Sequence, residues 1–555
     1  MGKALILRKE KIEIEKSNVL DAEKELEKLE EAINSVIQET EKSIERLEKE
    51  KNNEQLQIMQ AYLMILEDET LVEKTKAMIK EEKLNSIYAT KKGLDELIEN
   101  FKNIDDEYLS ERAKDLEDIK NRIIMKLLNK EEKKIESIEP NTIIVTEELT
   151  TSDISNINLQ NVVGIISEIG GTNSHVSIIA RNKQIPMIIQ TSDAINKIKN
   201  GDFVIINGKD GEIYINPKEE EIQKYQKQQE IEQNEKAQLK EYKNKLAKTQ
   251  DGYQVEISCN IGKSTDLQEA IDAGADGIGL FRTEFLFMDS KQMPTEEEQF
   301  ENYRKIAETM KEKLSIIRTL DVGGDKNIPY LNLEKEDNPF LGYRAIRLCL
   351  ENVELFKIQL RAILRASKYG NLAIMFPMIS TIEELRKAKM ILEECKEELD
   401  SKNILYNSDI KVGIMIEIPA TAIMAEGFAK ECDFFSIGTN DLIQYTLAAE
   451  RGNSKIANLY TKNHPAVIKL IKHTIDAAHK NKIFCGMCGE AASNTHYIPL
   501  LIGLGLDEFS MNSSEISKAK KVITELDKKE CENLAERVLN CISDKDVEQI
   551  LTDFK

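Results

Sequence analysis

Three patterns of hydrophobic and polar residues follow one another along the chain. Between residues 19 and 129, apolar residues recur at intervals of three and four with Glu and Lys between them, which predicts amphipathic helices. Between residues 138 and 216, short apolar runs are separated by turn residues, which predicts a small α/β domain. From residue 253 onwards, apolar runs of strand length alternate with helical stretches to the end of the chain.

The helical segment predicts a bundle that is inserted into the α/β domain after a first strand at residues 4–7. Gly93 is its only glycine, and it contains no proline. The spacing of its first helix is carried by Leu26, Leu29, Ile33, Val36, Thr40, Ile44 and Leu47. A coiled-coil scaffold is an alternative for this segment alone, but the heptad pattern is not sustained as a long coiled coil requires. We therefore expect long helices packed as hairpins.

The last part of the chain predicts a (β/α)8 barrel. Residues 218–248 are almost all Lys, Glu and Gln, which is typical of a solvated connecting helix. Beyond them, the strand candidates are residues 255–261, 277–281, 315–320, 372–377, 411–416, 434–437, 483–487 and 508–511. Strands that alternate with helices in this way over about 300 residues indicate this barrel, whose chemistry lies at the carboxyl ends of its strands.

Charged, polar and thiol side chains fall at or just beyond those predicted strand ends. They are Arg282, Arg318, Asp321, Lys326, Glu417, Asn440, Asp441, Arg451 and Cys488. Guanidinium groups match the paired oxygens of carboxylates and phosphates. The arginines and Lys326, with Arg344 from a neighbouring segment, therefore indicate a small substrate with several negative charges. Each arginine by itself is also typical of a surface ion pair.

Two more features of this end of the predicted barrel, which we call its mouth, suggest chemistry. Glu417 and Asp441 follow neighbouring strands, and two carboxylates with a phosphate and water make the oxygen shell that Mg²⁺ prefers. The alternative is that these carboxylates are ion-pair partners of the arginines. Cys488 is either a core thiol, as most cysteines are, or a group that exchanges a proton with substrate. In a cationic mouth we expect its pKa to fall.

A glycine-rich turn in the α/β domain is the candidate phosphate acceptor. It runs from Gly170 to His175, after an apolar strand at 162–166 and before a predicted helix at 176–181. The glycines allow a tight turn, and the free amides at a helix start favour an anion, such as a phosphoryl group on His175. An isolated Gly-Gly…His is more often an ordinary turn, so this hypothesis depends on the phosphate site predicted in the barrel.

Composition narrows the class of protein. The chain has 555 residues and a formal net charge of −22, which favours several domains and argues against nucleic acid as the main partner. It has no apolar run of about 18 residues and no signal-peptide pattern, so we expect a cytoplasmic protein without membrane insertion. Its 8 cysteines are scattered along the sequence, which suits reduced thiols.

Several motifs, read together, resemble Enzyme I of the bacterial phosphotransferase system, the phosphoenolpyruvate–protein phosphotransferases. The motifs are GGTNSH at 170–175, LFRTEFL at 280–286, RTLDVGGDK at 318–326, LGYRAIR at 341–347, MIEIP at 415–419, GTNDL at 438–442, RGN at 451–453 and GMCGE at 486–490. They cover nearly the whole chain in one order, which makes the resemblance specific.

The resemblance implies a reaction and a fold. Phosphoenolpyruvate would bind in the barrel with Mg²⁺, His175 would attack its phosphorus in line, and Cys488 would protonate the enolate that leaves. A swivelling phosphohistidine domain would then pass the phosphoryl group to the carrier protein HPr, which the bundle docks, and the barrel would form a homodimer. The implied domains are 1–18 with 136–217 for phosphohistidine, 19–135 for HPr, 218–248 as linker and 249–555 for phosphoenolpyruvate and dimerisation.

The chain departs from the family pattern at two places. Asn173 stands where the family usually has Thr, and we expect this change to tune the site because Asn still offers hydrogen bonds. The family also opens with a strand and an Ala-Ser-Pro-Gly turn before the Gly-Lys-Ala-Leu segment, whereas this sequence begins at Met1. We therefore expect Gly2–Leu7 to be an edge strand that lacks its usual neighbour, in a domain that melts first.

Two rival functions remain at this point. Pyruvate phosphate dikinase and phosphoenolpyruvate synthase resemble the chain in the His domain and the barrel. They need a large ATP-binding domain before the His, whereas about 170 residues of mostly helical pattern precede His175, without a glycine-rich nucleotide loop. A non-catalytic scaffold that kept the fold is the second rival, and the intact His, Arg, Glu/Asp and Cys set argues against it.

Overall fold

In the computed structural model, the described residues are 1–8, 14–49, 53–68, 70–102, 107–130, 138–150, 153–154, 157–171, 175–288, 290, 292–323, 328–334, 336–453 and 455–554. The chain forms two compact units, Met1–Gln229 and Glu230–Lys555. Among the described helices, none has both the length and the apolar character that a membrane crossing requires.

The first unit contains a six-stranded sheet and a helical bundle. The strands are β1 (Gly2–Leu7), β2 (Thr142–Thr146), β3 (Val162–Ser167), β4 (Met187–Ile188), β5 (Phe203–Asn207) and β6 (Glu212–Ile215). Their order in the sheet is β4-β3-β2-β1-β5-β6. The first four strands pair in parallel, whereas β5 is antiparallel to β1 and β6 is antiparallel to β5.

The alternation of apolar residues along β2 and β3 gives this sheet a core on each face. Ile144 and Ile165 are buried in the cluster on one face, and Ile143 and Ile166 are buried in the cluster on the other. Successive side chains of a strand point to opposite faces. The two strands therefore lie in the middle of the domain, with the turn that leads to His175 directly after β3.

The helices of the first unit include the long helices that the spacing predicts. They are α1 (Ala22–Lys49), α2 (Asn53–Leu66), α3 (Thr70–Glu81), α4 (Ser86–Lys102), α5 (Glu107–Leu127), α6 (His175–Asn182) and α7 (Ala194–Lys197), followed by α8 (Glu219–Tyr242), which continues into the second unit. On α1, Leu29 and Val36 are completely buried, as is Thr40, whose hydroxyl donates to the Val36 carbonyl at 2.8 Å. This local bond satisfies a polar group inside the bundle.

The second unit contains a closed barrel of parallel strands. They are β7 (Glu256–Ile261), β8 (Ile278–Arg282), β9 (Ser315–Arg318), β10 (Leu372–Phe376), β11 (Lys411–Ile416), β12 (Phe434–Ile437), β13 (Phe484–Met487) and β14 (Glu508–Met511), and β14 closes on β7. All eight strand predictions are confirmed to within a few residues at each end. The (β/α)8 prediction is therefore correct.

Helices cover the outside of this barrel. They are α9 (Leu267–Ala273), α10 (Glu284–Met288), α11 (Glu296–Met310), α12 (Ile346–Glu351), α13 (Val353–Ala366), α14 (Ile382–Ser401), α15 (Pro419–Ile423), α16 (Ala425–Phe428), α17 (Thr439–Leu447), α18 (Pro465–Lys480), α19 (Ile498–Leu504), α20 (Ser513–Glu525), α21 (Lys528–Leu539) and α22 (Asp544–Asp553). One large apolar cluster joins them to the strands. A smaller apolar cluster, which includes Leu280, Ile316 and Phe434, is separate from it. Since strand side chains alternate between faces, we assign this smaller cluster to the barrel interior.

The prediction that Gly2–Leu7 is an edge strand is wrong. β1 lies inside the sheet, paired with β2 on one side and with β5 on the other. Lys3 N donates to the Asn141 carbonyl at 3.1 Å, and Ala4 N donates to the Asp202 carbonyl at 2.8 Å. The sequence pattern identifies a strand but not its neighbours, since strand order is set by packing between distant segments. The reason for expecting this domain to melt first is therefore lost.

We predict that the amides of β1 exchange slowly with solvent. Because β1 is hydrogen-bonded on both sides, its amides should be protected about as well as those of β2 and better than those of the edge strand β6. Hydrogen exchange followed by mass spectrometry measures this for peptides that cover each strand. Exchange in β1 as fast as in β6 would contradict the observed strand order.

Candidate active site

The turn between β3 and α6 holds the predicted acceptor histidine at a helix start. Gly170 has a φ of 155°, and Ser177 Oγ donates to the Gly171 carbonyl at 2.7 Å. Gln190 Nε2 donates to the Gly170 carbonyl at 3.3 Å. These bonds fix the glycine turn against α6 and β4, and α6 begins at His175. Residues 172–174, including Asn173, lie outside the described residues.

In the barrel, two buried arginines share one aspartate at the carboxyl end of β9. Asp321 Oδ2 lies 2.9 Å from Arg318 Nη1, and Asp321 Oδ1 lies 2.9 Å from Arg344 Nη2. Both guanidinium groups and the carboxylate are almost completely buried. An aspartate that bridges two arginines in this way fixes both forks relative to each other, which a surface ion pair does not do.

Further carboxylates surround the same pair of arginines. Arg318 Nη2 lies 2.7 Å from Glu284 Oε1, and Arg344 Nη2 lies 3.4 Å from Asp441 Oδ2. Burial by itself disfavours the charge of Arg318, but the neighbouring carboxylates, with Glu284 the strongest, outweigh it and raise the pKa of this arginine. At the centre of the predicted cationic mouth, carboxylates therefore neutralise the charge of the arginines.

Backbone geometry brings Arg344 to this cluster. Gly323 has a φ of 112°, and a Cβ at this position would lie 2.4 Å from Arg344 Cβ. The Ala345 amide donates to the Val322 carbonyl at 3.0 Å. Only glycine fits such a close approach at this φ, which explains why the segment after β9 needs glycine where it passes Arg344. Lys326, which we predicted to lie in this segment, is outside the described residues.

Glu417 is a buried carboxylate at the end of β11. It accepts a hydrogen bond from the Met378 amide at 2.6 Å, and Met378 has a φ of 56°, a strained backbone conformation of the kind that clusters at functional sites. Burial, with the nearby charges of Asp441 and Asp321, raises the pKa of Glu417 to about 8. A buried carboxylate that is short of positive charge fits a bound cation.

The charge balance of the mouth supports the same conclusion. Among the described residues, the charged groups around the buried arginine pair are Arg318, Arg344, Glu284, Asp321, Glu417 and Asp441, and half-buried Arg282 lies at the rim. Carboxylates thus outnumber guanidinium groups, and a bound cation would offset the excess. Nowhere in the described ranges do three or more His, Cys, Asp or Glu side chains form a ready metal cage. Glu417 and Asp441 would therefore hold a cation only together with oxygens from substrate or water.

The other predicted binding residues lie at the rim. Arg451 Nη2 lies 2.5 Å from Glu490 Oε1, with both side chains more than half exposed, and Asn440 Nδ2 donates to the same oxygen at 3.4 Å. Arg282 is half-buried as the last residue of β8 and forms no ion pair with any described residue. At the rim, Arg282 is therefore available to bind an anion. Arg451 can bind one only after its ion pair with Glu490 breaks.

Cys488 lies directly after β13 and is buried with the smaller apolar cluster that we assign to the barrel interior. Its thiol donates to the Ile437 carbonyl at 3.9 Å. The expectation of a lowered pKa is wrong: burial raises the pKa of Cys488 to about 11, against the smaller opposing effects of Ser436 and Arg318. The charge of Arg318 is offset by its carboxylate partners, so the loss of hydration has the larger effect on the pKa of Cys488. At neutral pH this thiol holds its proton.

Sequence reasoning missed two residues of this site. Glu284 is nearly fully buried against Arg318, and its position two residues after Arg282 in the LFRTEFL motif was the available signal. Tyr445 donates its hydroxyl to the Phe340 carbonyl at 2.6 Å and accepts from Arg344 Nη1 at 3.2 Å. Nothing in the pattern of α17 distinguishes Tyr445 from an ordinary core residue.

This combination of a barrel mouth with a histidine turn in a separate unit matches known proteins. The family model for the PEP-binding domain of PEP-utilising enzymes matches residues 236–528. The models for the N-terminal and mobile domains of these enzymes match residues 1–112 and 138–211. The fold and the site therefore define the chain as a PEP-utilising enzyme by class.

Curated relatives narrow the class further. The phosphoenolpyruvate-protein phosphotransferase of Bacillus subtilis is 44% identical over 547 residues, which cover 99% of this chain and 96% of that protein. Those of Staphylococcus carnosus and Haemophilus influenzae are each 42% identical and cover 100% of this chain, with 97% and 96% of their own lengths. The chain belongs to the phosphoenolpyruvate-protein phosphotransferase family.

Proposed function

We propose that this chain takes the phosphoryl group of phosphoenolpyruvate onto its own His175, releases pyruvate, and passes the group to the carrier protein HPr in the sugar phosphotransferase system. The observation that carries the proposal is the mouth of the barrel, where a protonated thiol shares one site with a cluster of fixed arginines and surplus carboxylates. This arrangement suits a substrate that is a phosphorylated enol acid bound with a cation.

Phosphoenolpyruvate supplies the negative charges that the arginines would bind. Arg318 and Arg344 would contact its phosphate or carboxylate with orientations that Asp321 fixes in advance, which is the form of binding that favours phosphoryl transfer. Rim contacts would come from Arg282, Asn440 and Arg451. We extend the same role to Lys326 on the motif that it shares with the family.

Mg²⁺ is the cation that we propose for Glu417 and Asp441. PEP-utilising enzymes generally use a divalent metal, and carboxylates completed by phosphate and water oxygens suit magnesium. Bound there, the ion would neutralise substrate oxygens and stabilise the charge of the departing enolate. Asp441, whose side chain is 24% exposed, faces both the cluster and the solvent, so it can reach an ion brought in with substrate.

His175 and Cys488 would carry out the chemistry. An imidazole nitrogen of His175 forms a bond to phosphorus as the bridging oxygen leaves with its electron pair, which produces the enolate of pyruvate. The Cys488 thiol then gives its proton to the methylene carbon of that enolate, and pyruvate results. A helix start provides free amides for the phosphoryl group on His175.

The remaining proposals concern partners and domains. We assign 1–18 with 136–217 to the phosphohistidine domain, 19–135 to HPr binding, 218–248 to the linker, and 249–555 to phosphoenolpyruvate binding and homodimer formation. At the end of α2, exposed Met64 lies near exposed Glu67 and Asp68, an apolar and acidic surface that suits a basic carrier; Glu69 lies outside the described residues. The eight cysteines, which lie between residues 259 and 541, are all free, and free thiols suit the reducing cytoplasm.

Phosphoenolpyruvate that is labelled in its phosphate should label one residue per chain in the presence of Mg²⁺. The bond should be labile to acid, because a phosphohistidine is a phosphoramidate, and HPr should remove the label. The His175→Ala protein should accept no label while it still binds phosphoenolpyruvate. Label retained by that variant, or label supplied by ATP without phosphoenolpyruvate, would contradict the proposal.

The Cys488→Ala variant should lose pyruvate formation by roughly 10²-fold or more, which is the usual contribution of a positioned proton donor. Binding of phosphoenolpyruvate should change much less, because the arginine cluster remains. Cys541→Ala is the matched control, since Cys541 follows α21 and its thiol donates to the Arg537 carbonyl at 3.5 Å, outside the groups of the proposed site. Equal turnover in the two variants would remove Cys488 from the reaction.

The raised pKa of Glu417 predicts that Mg²⁺ binding releases protons at pH 7. In the metal-free protein a carboxyl with a pKa of about 8 is mostly protonated at pH 7, so cation affinity should rise with pH and level off above about 8. Calorimetry in buffers of different ionisation enthalpy measures the proton count. Glu417→Gln should remove the release and weaken the Mg²⁺ dependence of activity. The exposed-residue control Glu393→Gln should change neither.

A further inference from the structure

A carboxylic acid is buried inside the barrel on the strand beside Cys488, and the proposed reaction does not use it. Glu508 is the first residue of β14 and is 3% exposed. Neither of its carboxyl oxygens accepts a hydrogen bond of ordinary geometry from any described residue. A buried carboxyl group without such partners costs several kcal/mol as a charge, so its retention needs an explanation.

The barrel leaves space for this carboxyl group on the neighbouring strand β13 and on β8, the strand beyond β7. A Cβ at Gly279 on β8 would lie 2.2 Å from Glu508 Oε1, and a Cβ at Gly486 on β13 would lie 2.2 Å from Glu508 Oε2. Any side chain at either position would collide with the acid. The two glycines therefore open a cavity in the interior of the barrel that the Glu508 carboxyl group fills.

Polar residues continue from Glu508 towards both ends of the barrel. Towards the carboxyl end, Ser510 Oγ donates to Asn260 Oδ1 at 2.6 Å, and Asn260 Nδ2 donates to the Cys488 carbonyl at 3.1 Å. At the amino end, Glu508 is paired in register with exposed Glu256, and each is the first residue of its strand. A polar column thus runs from the amino-terminal mouth of the barrel to the residue that carries the thiol.

Ser436 lies on β12, across the open Gly486 position from the acid. It is in register with Gly486, which is in register with Glu508. Its hydroxyl lowers the pKa of the Cys488 thiol as a hydrogen-bond partner, although Ser436 Oγ is in ordinary hydrogen-bond geometry with no described residue. A hydroxyl can both accept and donate a proton, so one placed between a thiol and the side of the cavity that holds an acid is suited to proton transfer.

The protonation state of Glu508 agrees with this arrangement. Burial, which is the largest effect, raises the pKa of Glu508 to about 8, and the Glu256 carboxylate contributes, while Ser258 and the Met487 amide hold the rise back. At neutral pH most of the Glu508 side chains therefore carry a proton that they can give away. Cys488, by contrast, holds its own proton until substrate takes it.

We infer that Glu508 is a positioning residue that restores the proton of Cys488 in each turnover, through the Ser436 hydroxyl. The inference depends on the proposed role of Cys488. When the thiol has protonated the enolate carbon, it is a thiolate. A proton then passes from the Glu508 carboxyl group through the Ser436 hydroxyl to that sulfur, which leaves a Glu508 carboxylate. Water at the amino-terminal mouth, beside Glu256, reprotonates the carboxylate, so the column returns to its starting state.

Isotope exchange in deuterium oxide separates this role from a structural one. With Mg²⁺, unlabelled phosphoenolpyruvate and pyruvate labelled with ¹³C, the reversible reaction moves carbon label between the two pools, and nuclear magnetic resonance follows it. Deuterium enters the methyl group only after the Cys488 thiol has exchanged with solvent. The ratio of deuterium uptake to carbon exchange therefore reports how quickly the thiol is resupplied.

The Glu508→Gln variant should keep carbon exchange while its deuterium-to-carbon ratio falls roughly 10²-fold, the lower end of what a positioned proton donor contributes. Loss of folded enzyme lowers both exchanges equally and leaves the ratio unchanged. Glu269→Gln, at an exposed position on α9, is the matched control and should keep the wild-type ratio. An unchanged ratio in active Glu508→Gln would overturn the inference.

A second variant covers the case in which Glu508→Gln does not fold. Ser436→Ala removes the hydroxyl beside the thiol and keeps the acid, so it should also lower the deuterium-to-carbon ratio. A wild-type ratio in that protein would then overturn the inference. Failure of the proposed function looks different. If the wild-type protein exchanges no carbon label, or if Cys488→Ala exchanges it at the wild-type rate, the role of Cys488 is wrong before any ratio is measured.

Discussion

The barrel site depends on one ionic interaction, the bridge that Asp321 makes between Arg318 and Arg344. Two guanidinium groups repel each other, and in a buried position each also loses its hydration. A single carboxylate that lies 2.9 Å from both of them removes the repulsion and fixes the direction of both forks. Glu284 pairs with the other terminal nitrogen of Arg318, and Asp441 shares Nη2 of Arg344 with Asp321. The arginines are held in position before any substrate arrives.

This arrangement has a cost that the substrate and its cation are suited to relieve. Once the carboxylates around the arginines are counted, negative charge is in excess at the mouth, and Glu417 responds by retaining a proton. A cation at Glu417 and Asp441 would relieve that excess. An anionic substrate would then meet arginines whose orientation no longer has to be established. On this account, a bound cation raises the affinity of the site for the substrate, and a bound substrate raises its affinity for the cation.

How much the sequence predicted depended on how local each feature is. The strands of the barrel and the positions of Glu417 and Cys488 at their ends were predictable, because strands and their ends are determined by residues that are close together in the sequence. The burial of Arg318 was not, because it depends on Glu284 and Asp321 meeting across strands. The same limit explains the wrong direction for the pKa of Cys488, which is set by desolvation. It also explains β1, whose neighbours in the sheet come from segments more than 100 residues away.

Polar groups inside a barrel of this kind need a reason, because apolar side chains usually fill it. At the mouth, the reason that we propose is the binding of an anionic substrate and a cation by the arginine cluster and its carboxylates. Further inside, Glu508 lies in a space that Gly279 and Gly486 leave open, and its link to Cys488 gives it a place in the same reaction. The arginine cluster lies at strand ends around the mouth, whereas Glu508 lies nearer the amino end, as the first residue of β14. On our proposal, one barrel combines anion binding with proton supply.

The most direct test of this account is the affinity of the Asp321→Asn protein for phosphoenolpyruvate, measured by calorimetry with Mg²⁺ and with folding checked by urea unfolding. If Asp321 acts by fixing the arginines, the substitution should weaken binding by roughly 10-fold or more, which corresponds to about 1.4 kcal/mol, although the site has lost a negative charge. If the arginines act only through their charge, the same substitution should strengthen the binding of an anion. Equal or tighter binding by folded Asp321→Asn protein would contradict the account.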